Sequence, residues 1–130
     1  MSRARDLVER VPYARFIGMQ AERDDDGLVC RLPFAEALVG NARLPAVHGG
    51  VVGAFLEMTA ILALLDGDDA ERLPKSINFS VDYLRAAGPR ETYGRAEIVK
   101  LGRRIANVRV VAHQGDPTRP VAAGIGNFRL

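Results

Sequence analysis

The sequence predicts an α+β fold, a curved antiparallel β-sheet wrapped around one long central helix. Three observations carry that prediction. The run "VVGAFLEMTAILALL" (51–65) has Glu57 and Thr59 as its only polar side chains, and a helix that is apolar all round must be buried all round. After it the apolar period changes from 3.6 to 2: "SINFSVDYL" sets Ile77, Phe79, Val81 and Tyr83 against Ser76, Asn78, Ser80 and Asp82, the alternation of a strand. The order is a hairpin, one helix and then four consecutive strands, which segregates helix from sheet as α+β proteins do. One sheet covers such a helix only by curling around it, and the flank it leaves open calls for a second subunit.

Each element has its own local reason. "SRARDLVERVPYARFIG" (2–18) opens with a short amphipathic helix that carries Leu7, Val8 and Val11 on one side. "MQAERDDDGLVCRLPF" (19–34) reads as a hairpin turning at "DDDG". "AEALVGNARLPAV" (35–47) is loop-rich, with Gly40, Asn41 and Pro45 as breakers. The apolar helix follows and ends at "DGDD" (66–69). "ETYGRAEIVKLG", "RRIANVRVVAHQ" and "RPVAAGIGNFRL" complete the strands, with turns at "AAGPR", "LGRR" and "QGDPTRP". Gly124 and Gly126 in the last strand point to a bulge or a close approach of another group.

The 130 residues fit a single domain over 1–130, and a domain of this size buries roughly two-thirds of the surface its unfolded chain exposes. Net charge is only +2, and the basic residues are scattered, with no Lys/Arg run and no aromatic-basic interleave. Nucleic acid is therefore not an expected partner. Cys30 is the single cysteine, so no internal disulfide forms. No Cys/His cluster has metal-ligand spacing, and no metal is expected. "MSRARDLVERVPYARF" lacks the apolar core of a signal peptide. The apolar run 49–65 is slightly short for a membrane span and carries Glu57. A soluble, cytoplasmic protein with no membrane contact is the expectation.

Glu57 is the residue that asks for an explanation, because an ionised carboxylate buried without partners costs several kcal/mol or more. Either it pairs with an arginine or reaches solvent at a helix edge, or it faces an enclosed site as a nucleophile or general base. "HGG" (48–50) stands where the helix begins. Glycine admits another molecule close to the backbone, and the amides of a first helical turn are unpartnered donors at the positive end of the dipole. Such donors can hold a carbonyl that gains negative charge; equally, Gly49 and Gly50 can simply ease a tight turn into the helix. Gly49 and Glu57 are eight residues apart, about 12 Å along a helix. Reacting groups must lie within about 3–3.5 Å of their target atoms, so one chain cannot bring both to one carbonyl. Two antiparallel copies of the helix across a two-fold axis can, which predicts a dimer with two equivalent shared sites.

"NARLPAVHGGVVGAFLE", "SINFSVDYLRAA" and "VKLGRRIANVRVVA" resemble the hotdog-fold acyl-CoA thioesterases, in the phenylacetate-pathway (PaaI-like) branch. The resemblance spans roughly residues 15–130, and its most specific part is His48-Gly49-Gly50 with an acid nine positions after the histidine. It implies the hotdog fold and hydrolysis of a small acyl- or aryl-CoA, with no cofactor beyond the coenzyme A of the substrate. By that resemblance Gly49 donates its N–H to the thioester carbonyl, with Gly50 beside it. Asn41 supports that carbonyl or holds the loop, and His48 positions the loop. Glu57 of the other subunit activates water or attacks the carbonyl, and Ser76 orients the water or the carboxylate. Gly102, Arg103 and Arg104, with Arg85 next, are the candidates for coenzyme A phosphates, and Phe55 and Met58 for the acyl pocket. The branch commonly has Asp at the acidic position; Glu is found in the similar 4-hydroxybenzoyl-CoA thioesterases, where a Thr follows one turn later. Ile61 holds that position here, and Ser76 is the candidate to replace it. The expected assembly is a homodimer or a dimer-of-dimers tetramer. The alternatives are a non-catalytic acyl-CoA-binding hotdog protein, which loss of the acid would favour, and a hotdog hydratase, which usually carries a proline-rich loop that "AVHGGVV" lacks.

Overall fold

The computed structural model describes residues 3–67 and 72–130. The chain opens with two short helices, α1 (Arg3–Glu9) and α2 (Pro12–Ile17), where one helix was expected. Pro12 divides them: it lacks an N–H and disfavours a helical conformation in the residue before it. Val11 is accordingly extended, at φ −119° and ψ 99°. Leu7, Val8, Ala14 and Ile17 are buried.

The predicted hairpin is β1 (Gln20–Asp24) and β2 (Gly27–Leu32). Gly27 begins β2 at φ +107°, a conformation that favours glycine. The stretch read as loop holds a 3-10 turn at Glu36–Leu38 and a small antiparallel pair, β3 (Val39–Asn41) with β4 (Ala46–Val47). His48 N–H donates to the Leu38 carbonyl at 2.8 Å and ties this pair to the entrance of the central helix, α3 (Gly49–Gly67). Asp66 and Gly67 close the described part of α3; Asp68 and Asp69 of the predicted stop signal lie outside the described residues.

Strands β5 (Lys75–Tyr83), β6 (Thr92–Leu101), β7 (Ile105–His113) and β8 (Ala122–Arg129) follow as expected. They join the hairpin in one six-stranded antiparallel sheet of order β1-β2-β6-β7-β8-β5. β5, the first strand after the helix, thus lies at an edge beside the last. The inner face presents Ala106, Val108, Val110, Ala112, Ala122 and Phe128, all 0% exposed, to α3. Phe55 and Met58 are buried in this core, so neither lines an open pocket in the single chain. Gly124 and Gly126 mark a close approach rather than a bulge. A Cβ on either would lie 2.5 Å from the Phe79 ring, and on Gly126 also 2.5 Å from the Asn78 carbonyl oxygen.

The bulges lie elsewhere. On β5 Ser76 pairs with Phe128 and Asn78 with Asn127, so Ile77 is an extra residue and the alternation reverses there. Ser76 then shares the inner face with Phe79 and Val81, while Ile77 is 53% exposed. On β6 Ile98 pairs with Val108 and Lys100 with Asn107, so Val99 does the same. The effect is to turn Leu101 inward and Lys100 outward.

α3 buries nine of its nineteen residues. By length and its mean hydropathy of 1.6 it could cross a membrane, but here it is the core element of the fold. Because β5 is an edge strand, one flank of α3 is uncovered. Gly53, Ala54, Glu57 and Ile61 are half-buried and Gly50 is exposed, a stripe at helical spacing.

Candidate active site

The first turn of α3 is held by side chains at both ends of one peptide unit. Gly50 N–H donates to His48 Nδ1 at 2.8 Å, and the Gly49 carbonyl accepts from the Tyr83 hydroxyl at 2.8 Å. Acceptance by Nδ1 makes His48 the neutral, Nε2-protonated tautomer. The His48 carbonyl accepts from Val51 and Val52 N–H at 3.0 and 3.1 Å. Among the described residues the Gly49 N–H therefore meets no acceptor, at the positive end of a nineteen-residue helix. Gly50 offers no free amide; it contributes a missing side chain, since a Cβ there would lie 2.9 Å from His48 Nδ1.

Two turns along, Glu57 sits on the half-buried stripe of α3, open on one side rather than enclosed. In the single chain this flank is open, because edge strand β5 stops short of covering it. Ser76 Oγ–H donates to Glu57 Oε2 at 2.5 Å, which satisfies one carboxylate oxygen and leaves Oε1 open. The β5 bulge makes the contact; regular alternation would have sent Ser76 to the opposite face. Ser76 and Glu57 thus meet as the resemblance implied, and Gly49 lies at the other end of the same stripe.

The remaining candidates fall in two places. Arg85 lies near Gly49: both line a cleft of about 400 Å³ with Tyr83 and Leu84, and Arg85 Nη1 donates to the Pro120 carbonyl at 3.0 Å. Gly102, Arg103 and Arg104 line a cleft of about 830 Å³ with Lys100, Asn107 and Asn127. The sheet register sets this cleft at the Glu57 end of the sheet but on the face turned away from α3, because Ser76 pairs with Phe128, Phe128 with Ala106 and Ala106 with Leu101, while Lys100, Asn107 and Asn127 alternate with these. Gly102 shapes the turn: its N–H is taken by the Ile105 carbonyl at 2.9 Å, and a Cβ would lie 2.8 Å from that oxygen. Asn41 lies in the β3–β4 pair at the entrance of α3. Its Oδ1 accepts from Arg43 N–H at 3.0 Å, an Asx turn that holds the loop.

Two residues of these surroundings escape a sequence reading, Tyr83 and Lys100. Tyr83 looks like one more member of an apolar strand face, and its hydroxyl contact joins residues 34 positions apart. Lys100 reaches the cationic cleft only because the β6 bulge turns it outward. Alternation by itself would give it the inner face of Ile98.

Residues 44–121 match the thioesterase superfamily. The medium/long-chain acyl-CoA thioesterase YigI of Salmonella typhimurium is 26% identical over 125 residues, covering 85% of this chain and 80% of that protein. Among solved structures, a Chromobacterium violaceum protein is 34% identical with a TM-score of 0.79, covering 98% of this chain and 88% of that one. A Pseudomonas aeruginosa protein is 28% identical with a TM-score of 0.84, covering 98% and 96%. The matched span runs from the entrance of α3 through β7 and holds His48, Gly49, Gly50, Glu57, Ser76, Tyr83, Arg85 and the Gly102–Arg104 turn; the chain belongs to the thioesterase superfamily and is a thioester hydrolase on the hotdog fold.

Proposed function

We propose that this single hotdog domain, residues 1–130, hydrolyses the thioester of a small acyl- or aryl-coenzyme A to free acid and coenzyme A. The sites are shared: Gly49 from one chain and Glu57 from its two-fold mate. The observation that carries this reading is the pairing of a free Gly49 amide with a Ser76-held carboxylate on one open helix stripe, about 12 Å apart by helical rise. Each half lacks the other within its own chain. The nine-residue edge strand β5, with Ile77, Tyr83 and Leu84 each more than half exposed, supports a second copy as the cover, since long unpaired edges are normally paired or blocked. Dimers then pair again into a tetramer.

In the reaction the Gly49 N–H bonds the thioester oxygen as it gains charge. Glu57 Oε1 takes a proton from water, the water oxygen attacks the carbonyl carbon, and the C–S bond breaks to release the thiolate of coenzyme A. Ser76 supplies the hydroxyl that Ile61 cannot. Arg103 and Arg104, with Lys100 beside them, meet the coenzyme A phosphates, and Arg85 adds charge at the Gly49 end. No cofactor beyond coenzyme A is required. The PaaI-like branch is our assignment, with Glu57 as its departure, and the cytoplasm, where coenzyme A esters are made and used, is the place of action.

The test is a hydrolysis screen across acyl-CoAs from acetyl to palmitoyl, with benzoyl- and phenylacetyl-CoA, following thiol release. The Salmonella relative's name specifies medium and long chains, so a preference there would correct the small-acyl assignment and keep the chemistry. Glu57→Gln, which keeps size and removes the anion, is expected to lower kcat by about 100-fold or more while Tm holds or rises, because a neutral amide is cheaper to desolvate than a charge. Full activity in that variant would make the carboxylate structural and take Glu57 out of the chemistry.

A further inference from the structure

We infer that Tyr83 is a positioning residue of the thioester site, one jaw of a two-sided clamp that presets the Gly49 amide. The inference rests on the reading of Gly49 as the oxyanion donor. A donor aimed at a developing charge is useful in proportion to how little it must reorganise, and a first helical turn is the part of a helix most prone to fray. Here the Gly49–Gly50 peptide unit is fixed at its N–H by His48 Nδ1 and at its carbonyl by the Tyr83 hydroxyl, each at 2.8 Å. The neighbouring His48–Gly49 unit is fixed through the His48 carbonyl. Both torsions of Gly49 lie between held planes, so the one free N–H has one direction.

The glycines fit this clamp. A Tyr83 ring carbon lies 3.5 Å from where a Gly49 Cβ would be, so the ring packs directly on the Gly49 backbone. On the next turn a Gly53 Cβ would stand 3.0 Å from the Tyr83 hydroxyl oxygen, so Gly53 clears the space that the hydroxyl occupies. Tyr83 itself is 58% exposed. A ring that open adds little to the core, whereas its hydroxyl reaches back to the one carbonyl that orients Gly49. The same ring walls the cleft onto which Gly49 and Arg85 open.

Two substitutions act on the clamp by opposite routes. Tyr83→Phe removes the hydroxyl and leaves the ring. Gly53→Ala leaves Tyr83 intact but places a methyl at 3.0 Å from its hydroxyl, which pushes the hydroxyl a few tenths of an ångström from its place on the Gly49 carbonyl, while alanine in a helix interior is favoured over glycine by roughly 1 kcal/mol. With the acyl-CoA that wild type hydrolyses fastest, each single variant is expected to lose about ten-fold in kcat, the scale of a misdirected donor, with KM within about two-fold. Tm should stay within about 2 °C for Tyr83→Phe and hold or rise for Gly53→Ala. The double variant should be no worse than Tyr83→Phe alone, because no hydroxyl is left to displace. A wild-type kcat in Tyr83→Phe overturns the inference, and so does a double variant whose losses multiply to about 100-fold. If Tyr83→Phe lost its fold, Gly53→Ala alone would decide: an unchanged kcat overturns the clamp, as does a loss accompanied by a change of oligomer mass in light scattering, and a loss at full Tm and wild-type mass supports it. Glu57→Gln in the same assay separates this result from the parent reading. An active Glu57→Gln overturns the shared site itself, whereas an inactive Glu57→Gln beside a fully active Tyr83→Phe overturns the clamp alone.

Discussion

Glu57 and Ser76 show how little chemistry one residue carries without its neighbour. The carboxylate presents two oxygens, and the Ser76 hydroxyl takes one of them at 2.5 Å, which orients the other. Ser76→Ala leaves the anion and frees its rotation. A fall in kcat of about ten-fold with KM little changed is expected, as for lost orientation of a catalytic group; an equal rise in KM would mean that Ser76 contacts substrate instead. Cys30 is the opposite case, a reactive type made inert. It is 0% exposed, and burial pushes its thiol up to about 12, so almost no thiolate, the reactive form, exists at neutral pH. An aromatic disulfide reagent should therefore label the native protein only after denaturant is added. Rapid labelling of the folded protein would contradict the burial. If the thiol is silent, the thiol signal in the acyl-CoA screen belongs to coenzyme A alone.

At the scale of elements, two single-residue bulges do work that regular strands could not. Ile77 turns Ser76 inward to α3, and Val99 turns Lys100 outward beside Arg103 and Arg104. The first bulge sits next to a close approach of two strands, where Asn78 and Phe79 of β5 lie against Gly126 of β8. Gly126→Ala drives a methyl to 2.5 Å from a backbone oxygen, which cannot swing aside as a side chain can. A loss of about 1–3 kcal/mol is expected, the usual scale of overpacking, read as a drop in Tm of several degrees. Gly67→Ala, with nothing among the described residues within 4 Å of its Cβ position, is the control and should cost nothing measurable. Equal Tm values for the two variants would mean that β5 and β8 sit farther apart.

The whole molecule is where the proposed catalyst is either complete or not. One chain holds a free amide at the start of α3 and a held carboxylate two turns on, with the flank between them uncovered. If that flank meets its own copy across a two-fold axis, two inactive variants can repair each other. Glu57→Gln mixed with Gly49→Val, after proven subunit exchange, should regain about a quarter of wild-type activity, since random mixing makes about half the dimers mixed and each has one intact site of two. Light scattering at micromolar concentration should show no stable monomer. An active monomer, or no recovery despite exchange, would remove the shared site and leave Gly49 and Glu57 in need of separate explanations.

The central helix and the order of the strands along the chain were legible in the sequence by itself. Each rests on local pattern, because hydrophobic period reports which faces are buried whatever lies against them. The break at Pro12 was equally local: the proline is in plain view and divides α1 from α2. Gly124 and Gly126 announced that something comes close, although not that it was Phe79. Tertiary structure alone decided the rest. A bulge is a mismatch between two strands, and β5 meets β8 about fifty positions later in the chain, so the face that Ser76 presents is settled by register and not by alternation. The Tyr83 contact with Gly49 and the open flank beside Glu57 follow from β5 lying at the sheet edge. Pattern along a chain states what each face prefers; which faces meet, and which stay open, is set by pairings between residues distant in sequence.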